Sequence, residues 1–145
     1  MGDFSKDINS TFPNQKVKAM LNIMFTANWI NSYQTSFFKP FKISSQQYNI
    51  LRILKGAGEP LKVQTIKERM IERSPNATRL MDKLCSKNLI ERISCPGDRR
   101  VVHIKITEEG LNLLHDISKA DKKDLLGNLT EEEAAQLSNL LDKVR

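Results

Sequence analysis

Residues 74–106 read SPNATRLMDKLCSKNLIERISCPGDRRVVHIKI, and two periodicities meet inside this run. In its first half Ala77, Leu80, Met81 and Leu84 recur at helical spacing, which predicts a short amphipathic helix opened by Ser74 as N-cap and Pro75 in the first turn. Asn76, Thr78, Arg79, Asp82 and Lys83 fall on its outer face. In the second half the period drops to two. Residues 89–94 and 101–106 alternate and predict two strands, with Pro96, Gly97 and Asp98 as the turn and Arg99 and Arg100 at the tip. A helix with a polar, basic outer face, followed at once by an arginine-tipped hairpin, is the order that a winged helix-turn-helix requires.

Working upstream, Val63, Ile66 and Met70 predict the helix that precedes the turn at Ile71–Arg73. Pro60 and Leu61 suit a very short extended piece before it. Ser44 and Gln47 form a capping-box start for a helix carrying Tyr48, Ile50, Leu51 and Leu54, which Gly56 and Gly58 stop. Before Pro40, residues 15–39 read as one long helix with a wide apolar band through Val17, Met20, Leu21, Met24, Phe25, Trp29, Ile30 and Tyr33. Downstream, Thr107 with Glu108 and Glu109 starts a helix whose stripe runs through Leu111, Leu114, Ile117 and Leu125 to Gly127. Thr130 and Glu133 open a last helix through Leu137, Leu140 and Val144 to the terminus. The expected fold class is mainly α with a small β-hairpin wing. Residues 42–106 would form the winged helix, and residues 12–40 and 107–145 the dimerisation helices, within a single domain of 145 residues.

The charge is placed where that architecture would use it. The chain carries a net +6, and residues 62–105 alone hold eleven Lys/Arg against five Asp/Glu, which leaves twelve of each sign elsewhere. The whole basic excess lies in one stretch, pointing to a polyanionic partner. With 39% apolar and 28% charged residues the proportions are those of an ordinary globular chain, and no apolar run is long enough to cross a membrane, so a cytoplasmic protein is expected. Cys85 and Cys95 form no CxxC pair, and His103 and His115 stand far apart, so neither a disulfide framework nor a metal site is predicted. The two cysteines are expected as a small buried residue and a free surface thiol. No Gly-rich phosphate loop, G-x-S-x-G or HExxH motif is present, and no catalytic residues or cofactor are assigned.

The motifs also resemble one family. Thr78–Leu84, then Leu89 and Arg92, then Pro96, Asp98, Arg99 and Arg100, then Ile106, Thr107 and Gly110 follow the T-R-L-x-D-x-L, G-L-x-x-R, P-x-D-R-R and L-T-x-x-G pattern of the MarR regulators. Asn88 replaces the usual Gly, a mild change because Asn tolerates the left-handed conformation. Lys62 stands where a small capping residue is common, and the Ile71–Arg73 turn lacks its frequent Gly.

The resemblance implies a homodimer that reads a pseudo-palindromic operator in double-stranded DNA. It also implies a repressor relieved by a small, often aromatic, effector. On the recognition helix Ser74 would cap near a phosphate, Asn76 and Thr78 would approach bases or phosphate, Arg79 would make the strongest groove contact and Lys83 would meet phosphate. On the wing Arg100 would enter the minor groove and Arg99 contact phosphate, with Asp98 pairing with the wing arginines. Trp29, Tyr33, Phe37 and Tyr48 are the candidate effector cleft. The competing reading is a winged helix that binds protein or RNA, because a fold does not fix a function.

Overall fold

The computed structural model describes residues 2–95 and 97–145, without the side chains of Cys95 and Arg99. Its elements follow in the order α1 (Phe4–Asp7), α2 (Gln15–Phe38), α3 (Ser45–Ala57), β1 (Leu61–Lys62), α4 (Val63–Arg69), α5 (Ala77–Ser86), β2 (Ile90–Cys95), β3 (Asp98–Ile106), α6 (Glu108–Lys119) and α7 (Glu131–Val144). A single 3-10 turn at Lys39–Phe41 holds Pro40 and ends α2, because proline cannot continue the α-helical ladder. Lys42 then takes a left-handed conformation at φ 59°, and the chain turns into α3.

The capping signals hold where they are local. Ser44 and Gln47 make both bonds of the capping box of α3, and Thr130 and Glu133 do the same for α7. Thr107 Oγ1 accepts the Gly110 N–H at the head of α6. Asn88 sits at φ 58°, the left-handed conformation expected of an Asn in the Gly position.

The three strands form an antiparallel sheet in the order β1-β3-β2. The extended piece at Leu61 and Lys62 pairs with Ile104 and His103, and β2 pairs with β3 from Ile90 opposite Ile106 to Ser94 opposite Val102, after which the register shifts. The core lies between this sheet and the helices: Ile50, Leu51 and Leu54 of α3, Ile66 of α4, Ala77, Met81 and Leu84 of α5, Ile90, Ile104, and Leu114 and Ile117 of α6 form one buried cluster. Each Leu, Ile or Met side chain among them contributes about 1.5–3 kcal/mol by leaving water. Gly110 is packed so tightly that an added Cβ would lie 2.3 Å from the Leu89 carbonyl oxygen. The family's glycine at this place is therefore required by the close approach of α6 to the start of β2.

Two expectations need correction, and one element was not foreseen. The helix that begins at Thr107 ends at Lys119, not at Gly127, because the chain turns extended at Ala120 and is held there by tertiary contacts described below. The helix predicted from Ser74 begins at Ala77, with Asn76 in the cap position and no side-chain cap bond. A four-residue helix, α1, precedes the long helix; Asp3 caps it and Phe4 is buried against Phe12 and Phe25, with centroids 5.3 Å away in each case.

Candidate nucleic-acid interface

Helix α5 is divided sharply between two environments. Ala77, Met81 and Leu84 are buried in the core, while Asn76, Thr78, Arg79, Asp82 and Lys83 are exposed. Three polar ties from outside the helix fix its position. The buried Gln47 of α3 donates from Nε2 to the Leu80 carbonyl at 3.4 Å. Asn49 Oδ1 accepts the N–H of Ile71 at 2.9 Å across 22 residues of sequence, and so holds the turn between α4 and α5 on α3. Asp82 pairs with Arg92 of β2, which joins the outer face of α5 to the wing. That hydrogen bond raises the Arg92 pKa further above its ordinary value, and the guanidinium stays charged throughout the accessible pH range. The partner of Asp82 is thus on a strand, not on a helix.

The remaining predicted residues divide as follows. Ser74 does not cap the helix: its Oγ accepts the Asn76 N–H at 3.1 Å and closes the turn that leads into α5. Arg79, Lys83 and Arg100 are exposed and enter no ion pair among the described residues. Asp98 Oδ1 accepts the backbone N–H of Arg100 at 2.9 Å, so the carboxylate shapes the wing backbone. The Arg99 side chain, Pro96 of the turn and the thiol of Cys95 lie outside the described residues. Cys85 is a free, half-buried thiol on α5, and no cluster of potential metal ligands exists among the described residues.

Lys67 and Arg73 were not among the expected DNA-facing residues. Together with Gln64, Glu68 and Ser74 they line a small cleft of about 140 Å³ between α4 and the start of α5, where two basic side chains flank one carboxylate. Both lay within the basic stretch already noted. Asn49 could not be found that way, because its spacing on α3 is that of a solvent-facing position.

The aromatic residues grouped as one cleft separate into two places. Trp29 lines a hollow of about 480 Å³ with Phe4 and Phe25 near the N-terminus. Tyr33 and Phe37 stack with centroids 6.2 Å apart, and Tyr48 lies beside Phe38 at 4.7 Å. Phe38 and Tyr48 face a second groove of about 450 Å³ that reaches Asn49, Arg52 and Ile71. Successive rings on one face of α2 are a full turn, about 6 Å, apart, and α3 reaches only the lower ones.

The profile of the MarR family matches residues 43–102, the span from the start of α3 into β3. The transcriptional regulator PecS of Dickeya dadantii is 32% identical to the chain over 113 residues, covering 74% of this chain and 68% of PecS. The transcriptional regulator MhqR of Bacillus subtilis is 31% identical, covering 79% and 81%. The chain belongs to the MarR family of transcriptional regulators. A crystal structure of mutant MarR from E. coli complexed with operator DNA superposes on this MarR-family chain with a TM-score of 0.73 at 26% identity, covering 99% of each. An organohalide-sensing transcriptional regulator in its 2,4-dichlorophenol-bound form shares the fold at a TM-score of 0.79 and 21% identity, covering 91% of this chain and 80% of that one. No helix among the described residues is long and apolar enough to cross a membrane.

Proposed function

We propose that the chain is a cytoplasmic, sequence-specific reader of double-stranded DNA, that it acts as a homodimeric repressor relieved by a small aromatic effector, and that it has no enzymatic role. The observation that carries the reading is the division of α5. One side of this helix is locked into the core, the other presents Asn76, Thr78, Arg79 and Lys83 to solvent, and the Arg100-bearing wing follows directly. In this reading Asn76, Thr78 and Arg79 meet the major groove, Arg100 the minor groove, and Lys83, Arg99, Lys67 and Arg73 the phosphates, with Ser74 and Asp98 shaping the backbone on either side.

The dimer follows from what the single chain leaves unfinished. Helix α7 buries none of its 14 residues and α2 buries only Phe38 of its 24. Apolar side chains on both remain in solvent, among them Met24 at 58%, Leu140 at 62% and Val144 at 74% exposure. The apolar side chains that these helices leave open are covered by the same helices of a second copy. In this reading residues 42–106 are the DNA-binding part, and residues 12–40 and 107–145 the dimerisation helices. A two-fold dimer then sets two recognition helices about 34 Å apart and reads a pseudo-palindrome.

The test is selection from a pool of random duplexes at two salt concentrations with wild type, Arg79→Ala and Arg100→Ala. An enriched palindrome is expected, with each variant weakening binding by about 1–3 kcal/mol. No enrichment, with both variants binding as wild type does, would overturn the DNA reading in favour of a winged helix that binds protein or RNA.

A further inference from the structure

The segment that joins α6 to α7 is fastened to α2 and α3 by two adjacent lysines. Lys122 Nζ lies 5.2 Å from the centroid of the Phe37 ring and 5.2 Å from that of Tyr48. The backbone N–H of Lys123 donates to Tyr33 Oη at 2.7 Å. These rings belong to a continuous cluster in which Phe37 meets Phe38 edge-on at 5.1 Å and Phe38 lies 4.7 Å from Tyr48.

Aromatic faces are negative, so an ammonium shared by two of them is attracted by both, whereas a carboxylate or phenolate in the same seat is repelled. The seat therefore selects positive charge. Its present occupant is easily displaced: Lys122 is exposed, and its flexible four-carbon stem loses rotamer freedom when held. A rigid cation with an apolar body avoids that loss. Tyr48 of the seat also lines a groove of about 450 Å³, together with Phe38, Ile30, Gln34, Arg52 and Glu72, and this groove offers space for such a body.

We propose that Phe37 and Tyr48 form the head-group seat of an effector site for hydrophobic monocations, such as aromatic quaternary ammonium compounds, and that Lys122 is its built-in competitor. Entry of the cation expels Lys122 and removes one of the two fastenings of residues 120–124, leaving the bond from Lys123 to Tyr33. This loosens the connection between α7 and the winged helix. The effect on DNA rests on the regulator reading above; the binding of the cation does not.

Calorimetric titration of the full chain with benzyltrimethylammonium, and with benzoate as the same ring bearing the opposite charge, tests the site. Wild type is expected to bind the cation more tightly than benzoate. Lys122→Ala should raise affinity for the cation roughly three- to tenfold by removing the competitor, and Phe37→Leu and Tyr48→Leu should lower it. Unchanged or weaker cation binding in Lys122→Ala, or benzoate binding as tight as that of the cation, would overturn the proposal. This surface variant decides the matter even if the aromatic variants fold poorly. Operator affinity with and without the cation separates the two readings. DNA binding that ignores a bound cation overturns the regulatory role of the seat, and absence of any specific DNA binding overturns the regulator reading while leaving the seat as measured.

Discussion

The winged-helix half and the two flanking helices of this chain solve the problem of apolar surface in opposite ways. From α3 to α6 the apolar stripes meet within the chain, and Ile50, Leu51, Leu54, Ile66, Met81, Leu84, Ile90, Ile104 and Ile117 all reach less than 2% exposure. Helix α7 carries an equally clear stripe and α2 a broad apolar band, yet nothing in α7 and only Phe38 of α2 is buried. An amphipathic helix records that something must cover it, but not whether the cover comes from its own chain. The first half should therefore be sensitive to volume, and the second to charge placed on its open stripe.

The largest effect is expected where the closed half is tightest. Gly110→Ala forces a Cβ against the Leu89 carbonyl and the Ile106 side chain, and should lower stability by about 3 kcal/mol in urea unfolding. A loss under half that size would mean that α6 can move off β2 without cost. In the open half, Leu140→Asp should weaken self-association by about 2 kcal/mol, roughly thirtyfold. Sedimentation should show this while far-UV circular dichroism stays native. Unchanged association would remove α7 from the interface and blur the contrast between the halves.

Smaller effects sharpen the comparison within the closed half. Asn49→Ala removes the acceptor for the Ile71 N–H and should cost about 1 kcal/mol of stability. Operator affinity should fall as well, because the turn leading into α5 is released. If stability falls and DNA affinity does not, the turn has no part in presenting α5. Asp82→Ala should cost under about 1 kcal/mol, since its pair with Arg92 is half-exposed on both sides. This pair contributes no pH dependence on the arginine side near neutrality: a raised arginine pKa gives stability that is lost only as alkaline pH passes the folded value.

Most of the winged half was legible because its signals are short in range. Ser44 and Gln47 cap α3, Thr107 caps α6, Asn88 takes the left-handed conformation, and the alternation of β2 and β3 follows the sheet register. The errors came where a distant contact decides. Leu125 continues the helical stripe beyond Ile117, but Lys122 and Lys123 are held by Phe37, Tyr48 and Tyr33, residues some 75–90 positions earlier, and that hold accompanies an extended turn at Ala120. Ser74 has the composition of an N-cap, yet its hydroxyl serves the turn before α5. In the candidate site, the exposed residues of α5 could be read from periodicity. Asn49 and the strand partner of Asp82 could not, since a polar residue on an outer face does not announce which backbone it will meet.

The middle strand of the sheet deserves a mechanical description. Strand β3 runs from Asp98 beside the wing tip to Ile106, its pairing with β2 regular from Val102 onward, and Thr107, the cap of α6, is the next residue. Arg100 therefore stands at the end of a lever about 20 Å long, at about 3.3 Å per residue, whose fulcrum is the head of α6. A tilt of about 5° at that fulcrum carries the tip through about 2 Å, the width of a hydrogen bond's tolerance and more. Two such levers facing each other across a dimer act as callipers, and the span between their tips is set by how the α6 helices are seated.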